Sequence, residues 1–347
     1  MSHDGARARA LGLAPGTGTP GPTNTIVDVP GVRVGQVTIH EGTRLHTGVT
    51  AIVPVAVDVP GGRMPAGLFV GNGYGKLVGA TQLVELGEIE TPIVLTGTLS
   101  AFRAADALVS YVLDKPGNEG VESLNPVVGE TNDGYLSDIR SRPITEAHVL
   151  QALRTASTAP VEQGCVGAGT GTVALGFKGG IGSASRVVDL SEHGSCTVGV
   201  LTQTNFSGVL TVRGVPITPD EALSDAAESL APQGNSCMLI VAVDAGLDSR
   251  QLTRVATRAV FGMARVGSDF AQGSGDYAIA FDGGERRGIP DAHLNPVFFA
   301  VQEAVAEAVL DSLFLATTTE GFNGHTKHAV PLGFVLEKCA AAGVFDR

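Results

Sequence analysis

Six apolar residues, Met238 to Val243, directly follow a glycine-containing turn and predict a buried strand. Gly234 and Asn235 tolerate backbone angles that most residues cannot adopt, so the turn delivers the hydroxyl of Ser236 to the start of this strand. A strained amide at such a junction is easier for a neighbouring hydroxyl to attack. Cleavage between Asn235 and Ser236 would give Ser236 both a hydroxyl nucleophile and an α-amine base. The alternative is an ordinary turn before a core strand, since serine is common at such junctions.

The composition predicts a large, tightly packed interior. Of the 347 residues, 43% are hydrophobic, 47 are glycine and none is tryptophan. A chain of this length can bury a large core, and this apolar content is typical of folded rather than disordered proteins. Residues 1–23, whose second half is rich in glycine, proline and threonine, indicate an extended arm. No linker follows the arm, so we expect a single domain, 1–347.

Charge and cysteine content argue against several classes of partner. The formal net charge of −12 is diffuse, and without a run of Lys or Arg we expect no nucleic acid partner. No apolar stretch is long enough to span a bilayer, and residues 1–7 lack the hydrophobic core of a signal peptide, so we expect a cytoplasmic protein without membrane contact. The four cysteines are widely spaced and include no C-x-x-C pair. We therefore expect no disulfide framework, no metal and no cofactor.

Predicted strands and amphipathic helices mix throughout the chain, which favours an α/β or α+β fold without fixing the order of strands in a sheet. Strands are predicted at 48–55, 66–70, 197–203 and 238–243. Helices are predicted at 100–113, 145–156, 218 to about 230, 249 to a stop at 267, and 291–315.

Residues 273–281 repeat the pattern of a polar turn that leads into an apolar strand, with Ser274 and Asp276 on the turn. Ser274 follows Ser236 by 38 positions with one helix between them, so the two strands can be neighbours in one sheet. Both serines would then lie at the same rim of that sheet. The alternative is that Asp276 only caps a turn.

Two further segments offer polar groups for a site. Residues 126–135 place Glu130 and Asn132 in a turn after an apolar pair, where an acid would suit a substrate ammonium. A solvated loop is the commoner case. Asn205 ends the strand that begins at Thr197 and offers an amide donor for a developing oxyanion, although a strand-end asparagine is more often a turn residue.

Two glycine-rich segments, 164–171 and 179–182, resemble phosphate-cradling loops. Neither has the strand, G-x-G-x-x-G and helix register of a dinucleotide site, and neither has the Gly-Lys-Ser/Thr of a P-loop. Close backbone packing or a flexible loop is therefore the favoured interpretation. Residues 325–328 (His-Thr-Lys-His) could hold a metal, but the lack of nearby acids or cysteines favours a solvated loop.

A longer pattern joins four separated segments: residues 21–35 (GPTNTIVDVPGVRVG), 130–136 (ETNDGYL), 234–237 (GNSC) and 273–276 (GSGD). With these segments in this order, the chain resembles the self-processing aminopeptidases typified by L-aminopeptidase D-Ala-esterase/amidase and the β-peptidyl aminopeptidases. The resemblance extends over nearly the full length. It implies a four-layer α/β/β/α sandwich, similar to N-terminal-nucleophile hydrolases in architecture but with a different connectivity.

The resemblance also implies a precursor that cuts itself between Asn235 and Ser236. The products would be an α chain of residues 1–235 and a β chain of residues 236–347, which stay associated and form a homo-oligomer of αβ units. The freed α-amine, with a reference pKa of about 7.7 to 8.0, would accept the hydroxyl proton of Ser236. Ser236 would then attack a small peptide, amide or ester substrate and form an acyl-enzyme.

Individual roles follow from the same resemblance. Asn205 matches the oxyanion-hole residue, and Glu130 matches the acid that receives the free amino group of the substrate. Ser274 and Asp276 match the Ser-Gly-acid site that orients the nucleophile and its amine. Some relatives carry Glu where this chain has Asp276, which shortens the reach of the carboxylate by one methylene.

Two positions depart from the pattern or match it less specifically. At Asn132, one branch of the family has a tyrosine that helps to hold the oxyanion, so either Asn132 donates in its place or the site depends on the strand-end asparagine alone. Lys178 resembles a lysine near the active site of the related nylon-oligomer hydrolases. A mobile surface lysine is the equal alternative.

Two other functions stay open at this point. The first is an amidase that acts on linear ω-amino-acid oligomers of the nylon type, with the same fold and nucleophile. The second is a noncatalytic protein that binds a nucleotide or another anion on its glycine loops.

Overall fold

We describe the fold from a computed structural model, in which residues 5–223, 236–285 and 288–345 are described. The helices are α1 Ala80–Glu85, α2 Ala101–Leu113, α3 Glu146–Arg154, α4 Pro219–Ala222, α5 Ser249–Ala264, α6 Asn295–Phe314 and α7 Leu332–Ala341. The strands are β1 Val32–Glu41, β2 Leu45–Pro54, β3 Met64–Gly73, β4 Glu88–Ile89, β5 Ile93–Gly97, β6 Val127–Thr131, β7 Val173–Ala174, β8 Phe177–Lys178, β9 Ile181–Asp189, β10 Ser195–Asn205, β11 Leu210–Val212, β12 Val215–Ile217, β13 Ser236–Val243, β14 Gly275–Asp282, β15 Thr319–Glu320 and β16 Thr326–Lys327.

Two sheets form the centre of the fold. One has four strands in the order β1-β2-β5-β6, and the other has six in the order β4-β3-β14-β13-β10-β9. The sheets pack face to face, α2 and α3 cover the first sheet, and α5 and α6 cover the second. The predicted four-layer α/β/β/α sandwich is therefore confirmed.

The sequence of β13 explains its central place in the larger sheet. Every residue of the strand is buried, as the unbroken apolar run predicts. Alternate side chains point to opposite faces of a strand. Met238 and Ile240 accordingly lie in the core between the sheets, whereas Leu239 and Val241 lie in the core beneath the helices. The strand can fill both cores because it has apolar side chains on both faces.

Most of the predicted elements are confirmed, with ends that differ by up to four residues. The last long helix begins at Asn295 rather than at 291, because Pro296 fits only in a first turn. The predicted helix from 218 is wrong in length, since it ends at Ala222 and Leu223 takes an extended backbone. Residues 224–230 of that prediction lie outside the described residues. The predicted turn at 126–135 is wrong in its first half, where β6 is found.

The N-terminal arm contains turns and packs against α6. Arg7 binds Asp311 at 2.6 Å, and Arg9 binds Glu307 at 2.7 Å. Arg186 of β9 binds the same Glu307 carboxylate at 2.6 Å. The charges of Asp311, Glu307 and Arg186 are buried, and these ion pairs offset the cost of removing them from water. Arg7 also donates to the carbonyl oxygen of Ser183 in β9, so the arm contacts both α6 and the edge strand of the larger sheet.

The glycine-rich segments pack closely against each other, which confirms the first of the two interpretations. A Cβ atom on Gly180 would lie 2.3 Å from the carbonyl oxygen of Gly164, and one on Gly169 would lie 2.4 Å from the nitrogen of Ile181. Backbone in such contact has no room for a phosphate between the two segments. Within the described residues, no helix is both long and apolar enough to cross a membrane.

Candidate active site

Ser236 is the first residue of β13 and has a paired residue on each side. Asn205, the last residue of β10, is its antiparallel partner, and Gly275, the first residue of β14, is its parallel partner. Ser236 is buried, with 5% of its surface exposed. The prediction that the strands near Ser236 and Ser274 are neighbours in one sheet is confirmed, since β13 and β14 pair in parallel.

The side chain of Ser236 lies on the face of the larger sheet that packs against the smaller sheet. Met238, two residues later, shares this face and belongs to the core between the sheets. A Cβ atom on Gly275 would lie 3.4 Å from Oγ of Ser236 and 2.5 Å from Cα of Gly75. The backbone beside this hydroxyl therefore requires glycine at 275.

Asp276 lies opposite Cys237 in the parallel pair, on the other face of the sheet, which α5 covers. Its Oδ1 accepts a hydrogen bond of 2.7 Å from the hydroxyl of Ser274, and Oδ2 has no hydrogen-bond partner among the described residues. Burial raises the pKa of Asp276 to about 6, although the Ser274 hydrogen bond lowers it. At neutral pH the site thus holds a buried carboxylate with one oxygen available to a further donor.

Asn205 is part of β10 rather than a turn residue. Its side chain is buried, and Oδ1 accepts a hydrogen bond of 3.0 Å from the main-chain nitrogen of Val173 in β7. This contact fixes the side chain and uses its accepting oxygen. The donating end of the amide, Nδ2, is therefore the group that can serve chemistry beside Ser236.

Glu130 is a buried carboxylate in β6, with 1% of its surface exposed, so the interpretation as a solvated loop is wrong for this residue. Oε1 accepts a hydrogen bond of 2.8 Å from the main-chain nitrogen of Lys76, and Oε2 accepts one from the hydroxyl of Thr98. Neither donor carries a charge, and no ion pair to Glu130 occurs among the described residues. A buried carboxylate in this state favours a cationic ligand.

Gly75 connects Glu130 with the start of β13. A Cβ atom on Gly75 would lie 3.2 Å from Oε1 of Glu130 and 3.2 Å from Cα of Gly275. Gly275 is in turn the strand partner of Ser236. The hydroxyl of Tyr277 donates to the carbonyl oxygen of Gly75 at 2.8 Å and holds this segment in place. The hydroxyl nucleophile candidate and the uncompensated carboxylate therefore lie around one pair of glycines.

Lys178 is fully buried in β8, so the interpretation as a mobile surface lysine is wrong. Its Nζ donates to the carbonyl oxygens of Gly169 at 3.2 Å and Gly179 at 2.8 Å. Burial lowers the pKa of Lys178. In the β7–β8 pair Lys178 lies opposite Val173, the residue that binds Asn205. Lys178 is thus one strand away from the candidate oxyanion donor.

Asn132 is exposed, and its Oδ1 accepts a hydrogen bond of 2.9 Å from the main-chain nitrogen of Gly134. The side chain shapes a turn directly after β6. Its role as an oxyanion donor stays a prediction. Asn235, on the other side of the predicted cleavage site, lies outside the described residues.

Three residues at the site were not assigned a role from the sequence. Gly75 and Tyr277 come close only through the antiparallel pairing of β14 with β3. Asp133 is buried, and burial raises its pKa to about 6, which the charge of Glu130 also favours. Its place within the ETNDGYL segment was the one available signal.

One group of residues has spacing that could hold a metal, among the part of the chain that the structure describes. It consists of Glu192, His193 and His293, none of which is a predicted site residue. The predicted metal alternative at 325–328 instead shows His325 stacked on Tyr135, with ring centroids 4.3 Å apart.

Three comparisons with known proteins, by family model, by sequence and by structure, agree on the family of this chain. The model of peptidase family S58 matches residues 24–327. The β-peptidyl aminopeptidase BapA of Sphingosinicella microcystinivorans is 36% identical over 368 residues, which cover 95% of this chain and 91% of that protein.

Two solved structures have the same fold over 97% of this chain and 99% of their own. The PH0078 protein from Pyrococcus horikoshii OT3 has a TM-score of 0.90 and 42% identity. The L-aminopeptidase D-Ala-esterase/amidase from Ochrobactrum anthropi has a TM-score of 0.85 and 33% identity, and is described as a prototype for the serine aminopeptidases and a new variant among the Ntn hydrolase fold. From the family match and these full-length similarities, the chain belongs to peptidase family S58 and is a hydrolase of the aminopeptidase type.

Proposed function

We propose that this protein is an autoproteolytically activated serine aminopeptidase, which releases N-terminal residues from small peptides, amides or esters through an acyl-enzyme on Ser236. The observation that carries the proposal is the arrangement around Gly75 and Gly275. It brings a strand-end hydroxyl near Glu130, a buried carboxylate whose charge is not neutralised by any described residue. A nucleophile beside an ammonium-binding acid is what removal of an N-terminal residue requires.

Self-cleavage would come first. Oγ of Ser236 attacks the carbonyl carbon of Asn235, the acyl group moves from nitrogen to oxygen, and water hydrolyses the resulting ester. The α chain then ends at Asn235, and the new α-amine belongs to Ser236. This amine lies in the same residue as the hydroxyl and can accept its proton during turnover.

The face alternation of the sheet supports separate roles for the hydroxyl and the amine. The side chain of Ser236 lies toward the smaller sheet, whereas Asp276 and Ser274 lie toward α5. A main-chain nitrogen lies between the two faces. We infer that Oδ2 of Asp276 accepts a hydrogen bond from the freed α-amine rather than acting directly on the hydroxyl, and that Nδ2 of Asn205 stabilises the oxyanion.

The strand order supports the expectation that the two chains stay together. β13 and β14 belong to the β chain, and they lie between β3 and β10 of the α chain in the larger sheet. β13 therefore forms a hydrogen-bonded ladder with β10 of the α chain, and β14 forms one with β3 of the α chain. The names of the relatives, a β-peptidyl aminopeptidase and an L-aminopeptidase D-Ala-esterase/amidase, support the reaction class.

Chain cleavage is the first test. Purified protein run under denaturing conditions should give two bands, and the smaller should begin Ser236-Cys237-Met238. Ser236→Ala should give one full-length chain without activity. An active wild-type protein that stays as one chain would refute the proposal, and so would wild-type rates in Ser236→Ala.

The role of Glu130 has its own test. Glu130→Gln keeps the acceptor for Lys76 but removes the charge, so kcat/KM for an aminoacyl p-nitroanilide should fall roughly 10- to 100-fold, since charged hydrogen bonds contribute about 1.5 to 3 kcal/mol. Glu85→Gln, an exposed residue of α1, removes the same charge elsewhere and should have no effect. Equal rates on free-amine and N-acetylated substrates would contradict ammonium recognition.

The same substrate pair distinguishes the second candidate reaction. An amidase for ω-amino-acid oligomers would hydrolyse within an amine-blocked oligomer, which an enzyme that depends on Glu130 would leave intact. Hydrolysis of both substrate types at similar rates would favour the amidase.

A further inference from the structure

A polar cavity of about 570 Å³ opens on the side of β1 and β2, and its lining includes Cys165, His40, His46 and Thr317. Its volume falls in the range of small-molecule sites, about 300 to 1,000 Å³. Ser236, Asn205 and Glu130 do not line it. The cavity is therefore separate from the residues to which the proposed hydrolysis is assigned.

Cys165 differs from the other three cysteines in its surroundings. Its thiol is partly exposed, whereas Cys196, Cys237 and Cys339 are buried. The sulfur accepts a hydrogen bond of 3.3 Å from the main-chain nitrogen of Thr317. A donor directed at sulfur stabilises the thiolate form, which is the nucleophilic form of cysteine.

Lys178 is a cationic side chain that interacts with the same sulfur. Burial alone raises the pKa of Cys165, but the charge of Lys178 and the Thr317 nitrogen outweigh this effect and lower the pKa below its ordinary value. Burial, by contrast, raises the pKa of the Cys237 thiol, and the charge of Asp276 raises it further. A cysteine next to a cation in a partly open pocket has the environment of a reactive thiol.

A second titratable side chain, that of His46, belongs to the wall of this cavity. His46 lines the cavity with only 2% of its surface exposed, and Nε2 has no hydrogen-bond partner among the described residues. Burial is the main cause that lowers the pKa of His46, and the neighbouring His40 lowers this pKa further. A neutral imidazole with an unpartnered nitrogen offers a hydrogen bond to the polar part of a bound molecule.

We propose that Cys165 is a modification site that forms a mixed disulfide with a low-molecular-weight thiol, which the cavity lined by His46 accommodates. The Cys165 thiolate attacks one sulfur of a small disulfide, RS–SR. The new bond joins Cys165 to one RS group, the S–S bond of the reagent breaks, and the other RS leaves as a thiolate with the electron pair. No additional oxidant is needed, because the reagent disulfide is itself reduced.

The test uses the intact protein with oxidised glutathione, or with the disulfide of 5-thio-2-nitrobenzoate for rate measurement. Peptide mass mapping should find one adduct per 347-residue protomer, at Cys165, while Cys196, Cys237 and Cys339 stay unmodified until the protein is denatured. Cys165→Ser should abolish rapid adduct formation by the native protein. It should leave the melting temperature unchanged within about 2 °C. No adduct at Cys165, or adducts at equal rates on all four cysteines, would overturn the proposal.

The contribution of Lys178 is measured separately. Lys178→Met should lower the rate of adduct formation about tenfold, because the thiolate fraction falls when the cation is removed. If that variant does not fold, the pH dependence of the rate in the wild-type protein serves instead. The titratable groups that line the cavity beside Cys165 are His40, His46 and Glu320, whereas Lys178 interacts with the sulfur without lining the cavity. The rate should show a midpoint below the ordinary thiol pKa of about 8.5. A midpoint at or above that value would overturn the proposal.

Discussion

Replacement of Asp276 by Asn should stabilise the folded chain at pH 8 while it abolishes activity. The carboxyl group is fully buried and Oδ2 has no hydrogen-bond partner among the described residues, so its charge is poorly solvated. Burial raises the pKa of Asp276 from 3.8 to about 6. The folded protein therefore binds this proton more tightly than the unfolded chain does between these two pH values.

The magnitude follows from the two pKa values. At 1.36 kcal/mol per pH unit, the ionised carboxyl group costs the folded state about 3 kcal/mol above pH 6 and almost nothing below pH 4. Asparagine resembles the protonated acid in size and still accepts the hydrogen bond from Ser274. The change in the free energy of unfolding should thus be about +3 kcal/mol at pH 8 and about zero at pH 4. With an unfolding entropy of about 2.1 cal/mol/K per residue, the melting temperature should rise by roughly 4 °C at pH 8.

The assay compares Ser236→Ala with Ser236→Ala/Asp276→Asn, so that both samples have the same covalent state. Thermal melting from pH 4 to pH 8 gives a difference curve in which the other buried acids with raised pKa values, such as Asp133, Asp282 and Asp311, cancel because both proteins contain them. The reasoning is refuted if the double variant is less stable at pH 8, or if the difference does not depend on pH. Asp133→Asn in the same background is the matched control for a buried acid whose pKa is also raised to about 6.

Three further substitutions test the geometry. Gly275→Ala should block chain cleavage and lower the melting temperature, because the new Cβ would lie 2.5 Å from Cα of Gly75; normal cleavage on a denaturing gel would contradict the close packing. Tyr277→Phe removes the hydrogen bond to Gly75 and should raise KM about 3- to 10-fold with little change in kcat, since a hydrogen bond contributes about 1 kcal/mol; steady-state kinetics measure both. Met238→Ala leaves a cavity between the sheets and should lower the free energy of unfolding in urea by about 2 to 5 kcal/mol. The peptide bond before Ser236 should still be cleaved.

Much of the site follows from local sequence. The position of Ser236 at the start of a buried strand could be predicted because an apolar run of six residues after a glycine turn fits few other structures. The parallel pairing with the strand after Ser274 could be predicted because one helix separates the two strands. Residue types alone already suggested Glu130 as an ammonium-binding acid and Asn205 as an oxyanion donor, but left a solvated loop or a turn as the commoner interpretation. The family resemblance then assigned those two roles.

Tertiary structure decided which residues of the site contact each other and which of the charged side chains are buried. Gly75 lies 200 positions before Gly275, and only the pairing of β3 with β14 brings the two glycines together beside Ser236. No local pattern shows that Glu130 is buried without a cation or that Lys178 is buried at all. Burial and the choice of charged neighbours depend on how the sheets and loops pack. The sequence therefore determines which residue types the site contains. The pKa of each group and the contacts of each side chain are determined only by how the layers of the fold pack together.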